Sequence, residues 1–175
     1  MSKKLNPSVN KKDHVQGSPN ASIELLEFGD YQCPHCGAAY SIIKEIQKAS
    51  GKKLKFVFRN FPLSEAHPMA LPAAIAAEAA GKQNQFWEMH DVIFENQMAL
   101  SKIAVFKFAK MLSLNIPAFE KDLQDKSLAE KIEADFESGI KSGVNGTPSF
   151  FINGYKYEGS YDFDSLMQGI QEAVS

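Results

Sequence analysis

The sequence has few cysteines and no large excess of charge of either sign, and both facts restrict what the chain can do. Only two cysteines occur among 175 residues, at positions 33 and 36, so no structural disulfide can form elsewhere in the chain. The 19 lysine and arginine residues nearly balance the 21 aspartate and glutamate residues, which gives a net charge of -2. Because this balance gives no electrostatic attraction for nucleic acid, we expect no nucleic-acid partner.

Long apolar runs are also missing. No stretch approaches the ~18 apolar residues of a membrane helix, and the nearest candidate, 69–80, is short and mostly alanine. The first twenty residues contain no apolar segment of the kind that a secretory leader requires. The sequence therefore predicts no membrane span. It predicts a cytoplasmic location as written, or a periplasmic or extracytoplasmic one if a leader was removed.

The two cysteines lie in the stretch GDYQCPHCG, residues 29–37, between a predicted strand and a predicted helix. The strand-like run 23–28 stops at the glycine, and a helical pattern starts at Pro34, whose missing N–H suits the first position of a helix. Cys33 thus lies at a helix N-terminus, where free N–H groups and the positive end of the dipole favour a thiolate. Cys36 follows one turn later, within disulfide range. We interpret Cys33 as the reactive sulfur of a redox-active disulfide and Cys36 as the resolving one.

Metal binding is the main alternative for such a cysteine pair. A structural zinc site takes four ligands, commonly two cysteine pairs or cysteines with histidines at set spacing. The chain has no second cysteine pair, and His14, His67 and His90 are scattered along it. We therefore favour redox chemistry and expect neither a metal nor another cofactor. Binding of a soft metal ion remains the weaker alternative.

A strand, a helix and a second strand follow one another before the chain becomes helical. The three patterns cover 22–28, 34–49 and 53–59, an order typical of a right-handed parallel unit. After Pro62 the pattern stays helical for about eighty residues, which is too long for a connection between neighbouring strands. The helical block is therefore interpreted as an insertion.

Strand signals return near the C-terminus and complete the predicted domain. Asn153-Gly154 predicts a tight hairpin after the strand-like run 149–153, and Asp162 is a suitable cap for a last helix. We expect a sheet with two parallel strands before the insertion and an antiparallel pair after it. The predicted units are a loose, solvated N-terminal arm at 1–20 that partly lies on the domain, one α/β domain made of 21–62 and 144–175, and an all-helical insertion at 63–143.

Several phrases of the sequence together indicate a family. CPHC is preceded by FGDYQ at 28–32 and followed by RNFPL at 59–63 and GVNGTP at 143–148. With these phrases the sequence resembles the bacterial branch of the DsbA-type thiol:disulfide oxidoreductases of the thioredoxin superfamily. The resemblance implies a thioredoxin fold with an inserted helical subdomain, and disulfide exchange as the activity. It also implies that Pro148 follows a cis peptide bond and faces the cysteines, and that Glu27 is the family's buried acid.

The resemblance also places substrate-binding groups beside the cysteines. Next to Cys33, Thr147 would offer its backbone N–H and C=O to an extended substrate segment, which would bind as an added strand. We assign Thr147, Pro148 and Pro34 to substrate binding, and the alternative for Pro148 is a simple turn proline. Because such a site recognises backbone, we expect broad use of protein or peptide thiols and disulfides.

Two further residues are candidates for catalysis. His35 lies between the cysteines, where a hydrogen bond or a positive charge would stabilise the Cys33 thiolate and make the disulfide more oxidising. The alternative is an exposed helix residue with little effect. Glu27 lies in mid-strand among apolar residues, where burial would raise its pKa and let it exchange protons with Cys36. The alternative is a carboxylate that faces outward.

Other polar and aromatic residues near these motifs are given structural roles. Asp30 is interpreted as a turn or capping residue, and Arg59 and Asn60 as the solvated end of a strand. The predicted packing residues of the insertion are His67, Trp87 and His90.

The predicted function is the exchange of disulfides with protein or peptide thiols. His35 slightly favours the oxidising direction, whereas the missing leader favours a reductive or glutathione-linked role in the cytoplasm. Glutathione, the thioredoxin system and a membrane oxidase are the candidate redox partners. The alternative without catalysis is a peptide-binding, chaperone-like module in which the cysteines are incidental.

Overall fold

The computed structural model describes residues 3–175, and it contains a five-stranded sheet flanked by helices. The first two residues of the predicted arm lie outside the described residues. The strands are β1 His14–Gly17, β2 Ile23–Gly29, β3 Leu54–Asn60, β4 Ser149–Ile152 and β5 Tyr155–Tyr157. The helices are α1 Pro34–Ser50, α2 Ala70–Gly81, α3 Phe86–Glu95, α4 Lys102–Met111, α5 Ile116–Asp122, α6 Lys126–Lys141 and α7 Phe163–Ala173.

The sheet has the strand order β1-β3-β2-β4-β5. β2 pairs in parallel with β3 and antiparallel with β4, so β2 is central, in agreement with its nearly continuous apolar run. β5 pairs antiparallel with β4 across the turn at Asn153 and Gly154. The predicted α/β fold, a thioredoxin fold interrupted by helices, is confirmed. The exact division into domain and insertion at residues 63 and 143 stays a prediction.

The N-terminal segment differs from the expected solvated arm, because it adds an edge strand to the sheet. β1 pairs antiparallel with β3, and Leu5 is buried with its N–H donating to the oxygen of Gly154 at 2.8 Å. The sequence HVQG has a single large apolar residue, so it carries no recognisable strand period. Its place in the sheet depends on partners that lie far away in the sequence.

Arg59 and Asn60 also differ from their predicted role as a solvated strand end. Both are buried at the end of β3, and Arg59 is only 2% exposed. The Arg59 guanidinium donates to both carboxylate oxygens of Asp13 at 2.8 Å and to the hydroxyl of Ser138 at 2.7 Å. The prediction is wrong because the carboxylate that neutralises Arg59 comes from the N-terminal segment, 46 residues earlier.

The two faces of the sheet bury different sets of side chains. Alternate residues of a strand point to opposite faces, so Leu25 and Glu27 share the face that packs against α1, whereas Leu26 and Phe28 pack with Phe136 of α6 on the other. Phe58 of β3 belongs to the first face, together with most of the insertion. Glu27 therefore points toward the helix that carries both cysteines.

Candidate active site

Cys33 occupies the N-cap position of α1, directly after the loop that follows β2. Its N–H donates to the backbone oxygen of Asp30 at 3.2 Å and to the carboxylate of Asp30 at 3.1 Å. Its own oxygen accepts the N–H of Gly37 at 3.1 Å, and Pro34 is the first helical residue. The local structure is thus the strand, turn and helix start that the sequence predicts, and Asp30 is the turn residue of its predicted turn or capping role.

The two sulfurs lie in different electrostatic environments. The pKa of Cys33 is lowered to about 5, first by a hydrogen bond from Cys36 and then, against the opposing effect of burial, by the contact with Thr147 and by the peptide N–H groups of Cys36 and His35. Burial raises the pKa of Cys36 well above its ordinary value. Because the thiolate is the nucleophile and the better leaving group, Cys33 has the properties of the reactive sulfur and Cys36 those of the resolving one.

Glu27 is buried below the cysteine pair and carries an unpartnered oxygen. It is 2% exposed, so the alternative of an outward-facing carboxylate is wrong. Burial, and then the negative charge at Cys33, raise the pKa of Glu27 to about 8. Its Oε1 has no hydrogen-bond partner among the described residues. At neutral pH this side chain is a protonated acid on the sheet face that packs against α1, where the sequence predicts a proton donor for Cys36.

Thr147 and Pro148 lie next to Cys33, at the start of β4. The peptide bond between them is cis, and the Cys33 thiol donates to the Thr147 oxygen at 3.6 Å. The hydroxyl of Thr147 is buried and has no hydrogen-bond partner among the described residues. The Ser149 hydroxyl donates to the oxygen of Gly146 at 2.7 Å and so orders the loop. The structure therefore brings Thr147 and the cis-proline that follows it, two of the three predicted substrate-binding residues, next to Cys33.

His35 is exposed in the first turn of α1, and its effect on Cys33 through the imidazole stays a prediction. Its Nδ1 lies 3.1 Å from the hydroxyl of Tyr161, in the loop between β5 and α7. Among the main causes that lower the pKa of Cys33, His35 acts through its peptide N–H. The backbone at this position, which any residue but proline supplies, therefore faces the sulfur.

Two open grooves flank the start of α1. One groove of about 480 Å³ is lined by the exposed Pro34 and by residues of the insertion, among them Phe94 and the fully exposed Met98. The other, of about 180 Å³, includes Pro148 and Tyr161. A substrate segment beside Cys33 can therefore continue in both directions.

The insertion is joined to the active-site loop by hydrogen bonds that no local sequence pattern indicates. The second carboxylate oxygen of Asp30 accepts the N–H of Leu63 at 2.9 Å and lies 2.8 Å from Nδ1 of His67. The buried Tyr31 hydroxyl lies 3.0 Å from Nδ1 of His90. Burial lowers the pKa of His90 well below its ordinary value, so this imidazole is neutral. The two histidines thus have structural roles, and both fix the loop that precedes Cys33.

Trp87 packs edge-on against Phe86 and tilted against Phe56, in agreement with its predicted packing role. Within residues 3–175, no three side chains of His, Cys, Asp or Glu come together as a metal-binding group. None of the helices in that part of the chain is long and apolar enough to cross a membrane.

Sequence and structure comparisons identify known proteins that are similar to this chain. A sequence model described as thioredoxin matches residues 9–172. BdbD from Bacillus subtilis, in its oxidised crystal structure, superposes with a TM-score of 0.84 at 25% identity, covering 99% of this chain and 97% of that one. The thiol-disulfide exchange protein alpha-DsbA2 from Wolbachia pipientis superposes with a TM-score of 0.82 at 23% identity, covering 93% and 88%.

A relative with a different name is more similar to this chain in sequence than these two structures are. The protein named Na(+)/H(+) antiporter NhaA 1 of Salinispora arenicola is 38% identical over 164 residues, which is 94% of this chain and 25% of that protein. The chain thus spans about a quarter of the length of such relatives.

Proposed function

The chain belongs to the thioredoxin family, and we propose that it is a thiol:disulfide oxidoreductase that oxidises protein or peptide thiols through Cys33 and Cys36. The observation that carries this proposal is the unequal acidity of the two sulfurs, with the pKa of Cys33 at about 5 and that of Cys36 far above its ordinary value. Such a pair favours the reduced state and releases Cys33 readily from a mixed disulfide. The fold shared with the thiol-disulfide exchange protein of Wolbachia pipientis supports the same assignment.

The reaction begins with the Cys33–Cys36 disulfide. A substrate thiolate attacks Cys33 Sγ, the new sulfur–sulfur bond forms, and Cys36 leaves with the electron pair of the broken bond. A second substrate thiolate then attacks the substrate sulfur of the mixed disulfide, and Cys33 leaves as a thiolate. The substrate loses two electrons to the cysteine pair. The disulfide must then be regenerated by an oxidant, for which a membrane oxidase is the candidate partner, whereas glutathione or the thioredoxin system would serve the reverse reaction.

Glu27 has the position and acidity to supply the proton that Cys36 needs. The Cys36 thiolate forms in a buried environment that strongly disfavours charge, so proton transfer must accompany its departure. Glu27 holds a proton up to about pH 8 and lies on the sheet face that packs against α1. We assign it the role of a buried general acid, which becomes the base when the reaction runs backward.

Substrate binding uses backbone groups beside the reactive sulfur. The Thr147 oxygen lies 3.6 Å from Cys33 Sγ, so a substrate strand that pairs with Thr147 places its own cysteine next to Cys33. Pro148 and Pro34 line the grooves on either side. Because these contacts select no particular side chain, the proposed substrates are extended segments of many proteins or peptides.

The reduction potential of the Cys33–Cys36 couple tests the proposed direction. We expect equilibration with glutathione to give a value nearer about -180 mV than the about -270 mV of thioredoxin, because a stabilised thiolate makes the disulfide more oxidising. The midpoint of Cys33 alkylation by iodoacetamide should lie near pH 5. A potential near about -270 mV with a midpoint above about pH 7 would instead indicate a reductant of the cytoplasm.

Glu27→Gln tests the buried acid. Between about pH 4.5 and pH 8 the folded chain keeps a proton on Glu27 that the unfolded chain releases, so the wild-type free energy of unfolding falls as pH rises through this range. Glu27→Gln has no such titrating group, so it lacks this pH-dependent loss of stability. We expect its stability relative to the wild type to increase by about 2–4 kcal/mol from pH 4.5 to pH 8 in urea unfolding of the reduced protein. Release of Cys36 should also become several-fold slower in stopped-flow measurements.

Glu24→Gln is the matched control on the same strand. Glu24 is half-buried and pairs with Lys55 at 3.1 Å near the surface, and such pairs contribute about 0–1 kcal/mol. An equal pH-dependent gain in both variants would contradict the special burial of Glu27.

A further inference from the structure

Gln97 of the helical insertion contacts Cys33 directly. It opens a short 3-10 turn, Gln97–Ala99, between α3 and α4. Its Nε2 donates to the oxygen of Cys33 at 2.8 Å and to the oxygen of Tyr31 at 3.0 Å. This half-buried amide nitrogen thus bridges the carbonyl oxygens of Tyr31 and Cys33, which are separated by one residue of the active-site loop.

The absence of a side chain at Gly37 makes room for this amide. A Cβ atom placed on Gly37 would lie 2.3 Å from Oε1 of Gln97 and 2.9 Å from its Cδ, closer than atoms can approach. Gly37 lies in the first turn of α1, where glycine weakens a helix by roughly 1 kcal/mol relative to alanine. The glycine is therefore explained by the close approach of Gln97 and not by the needs of the helix.

The two carbonyl groups are important because they help to orient the start of α1 and its peptide N–H groups. The oxygen of Cys33 already accepts the first hydrogen bond of α1, from the N–H of Gly37. Its direction fixes the start of the helix, and the peptide N–H groups of His35 and Cys36 that follow it stabilise the sulfur of Cys33. A second donor on the same oxygen limits the rotation of the peptide planes around Cys33.

We propose that Gln97 is a positioning residue for Cys33, which docks the insertion onto Gly37 and holds the first turn of α1 in the orientation that stabilises the Cys33 thiolate. The insertion thereby contributes to the reactivity of a sulfur to which it supplies no catalytic group. This inference rests on the proposed function only for the identity of Cys33 as the reactive sulfur.

The test compares Gln97→Met with a matched control, Gln85→Met. Methionine keeps the length of the side chain and removes the donor. Gln85 also donates to a backbone oxygen, that of Leu112 at 3.1 Å, but within the insertion and away from the cysteines. We expect Gln97→Met to raise the pH midpoint of Cys33 alkylation by iodoacetamide by about one unit, a tenfold loss of thiolate below the midpoint. Gln85→Met should leave the midpoint unchanged, and circular dichroism should show both variants folded.

Gly37→Ala provides a second, independent variant. The added methyl group must displace the Gln97 amide, whereas alanine favours the helix itself. We expect a shift in the same direction as for Gln97→Met, and a double variant whose shift is smaller than the sum of the two. If Gln97→Met does not fold, Gly37→Ala alone decides the question.

A wild-type midpoint in folded Gln97→Met, or in folded Gly37→Ala, would overturn the proposal. Its failure is distinguishable from failure of the proposed function, because alkylation of Cys33 requires no turnover. If the midpoint shifts in the variants but the wild-type protein shows no exchange activity, Gln97 remains a positioning residue and the proposed enzyme is refuted. If the wild-type protein is active but the midpoint does not shift in the variants, the positioning role of Gln97 is refuted and the proposed enzyme is not.

Discussion

Cys33→Ser is expected to reduce disulfide exchange below detection, because a serine hydroxyl can neither form a disulfide nor leave as a stable anion at neutral pH. Cys36→Ser should keep the first half of the reaction. Its free Cys33, with a pKa of about 5, remains a thiolate and can form mixed disulfides that no resolving sulfur releases. We expect insulin reduction and refolding of a reduced, disulfide-containing substrate to fail with Cys33→Ser. Mass spectrometry should find covalent substrate adducts with Cys36→Ser alone.

The paired variants separate an enzyme from a peptide-binding module. Both replace a buried sulfur by a slightly smaller hydroxyl, one at the N-cap of α1 and one in its first turn, so a general effect on folding should appear in both. Turnover that survives Cys33→Ser would refute the proposed mechanism. Peptide binding that persists in both variants, without adducts from Cys36→Ser, would favour the chaperone-like alternative.

The parts of the site that could be predicted are those coded by short stretches of sequence. The order of β2, α1 and β3 follows from apolar periodicity, and the N-terminal position of Cys33 follows from Pro34 and the glycine before it. The burial of Glu27 follows from a strand that is apolar on both faces. The approach of Thr147 to Cys33 is different, because no local pattern joins residues 114 positions apart. That contact was predictable only through the resemblance to a family.

The parts that could not be predicted are polar contacts between distant segments. Gln97 belongs to a short turn, and in the sequence it resembles any surface glutamine. Its proposed role depends on its contact with Gly37, which only the structure shows. The contact between the His35 ring and the hydroxyl of Tyr161, on another loop, has no local sequence signal either. Asp30 shows the same limit. Its role in the turn before Cys33 has a local signal, whereas its contact with His67 has none.

Arg59→Met is expected to lower the free energy of unfolding by about 3–5 kcal/mol, because it leaves the carboxylate of Asp13 buried without its counter-charge. The two side chains are 2% and 3% exposed. Although burial alone would raise it, the hydrogen bonds from Arg59 and the Asn10 N–H hold the pKa of Asp13 below its ordinary value. The contribution of the pair is therefore present at neutral pH and is lost as pH falls through the lowered pKa. Urea unfolding at pH 7 measures the effect.

The exposed pair of Lys141 and Glu137 provides the control. Their charged atoms lie 3.4 Å apart with both side chains about 60% exposed, and Lys141→Met should change stability by less than about 0.5 kcal/mol. A similar small change for Arg59→Met would show that Asp13 is neutral or hydrated in solution, and that the N-terminal segment is the loose arm that its sequence suggests.

The alkylation midpoint of Cys33 separates residues that support the sheet from residues that tune the sulfur. Arg59 lies on β3 and contacts the N-terminal segment and α6, and it makes no hydrogen bond to the active-site loop. We therefore expect Arg59→Met to lose stability while Cys33 keeps its midpoint near pH 5, measured under conditions where the variant is folded. Gln97→Met should show the converse, a shifted midpoint with a smaller loss of stability. Equal shifts of the midpoint in both variants would mean that the acidity of Cys33 follows global stability, and that no single contact around α1 controls it.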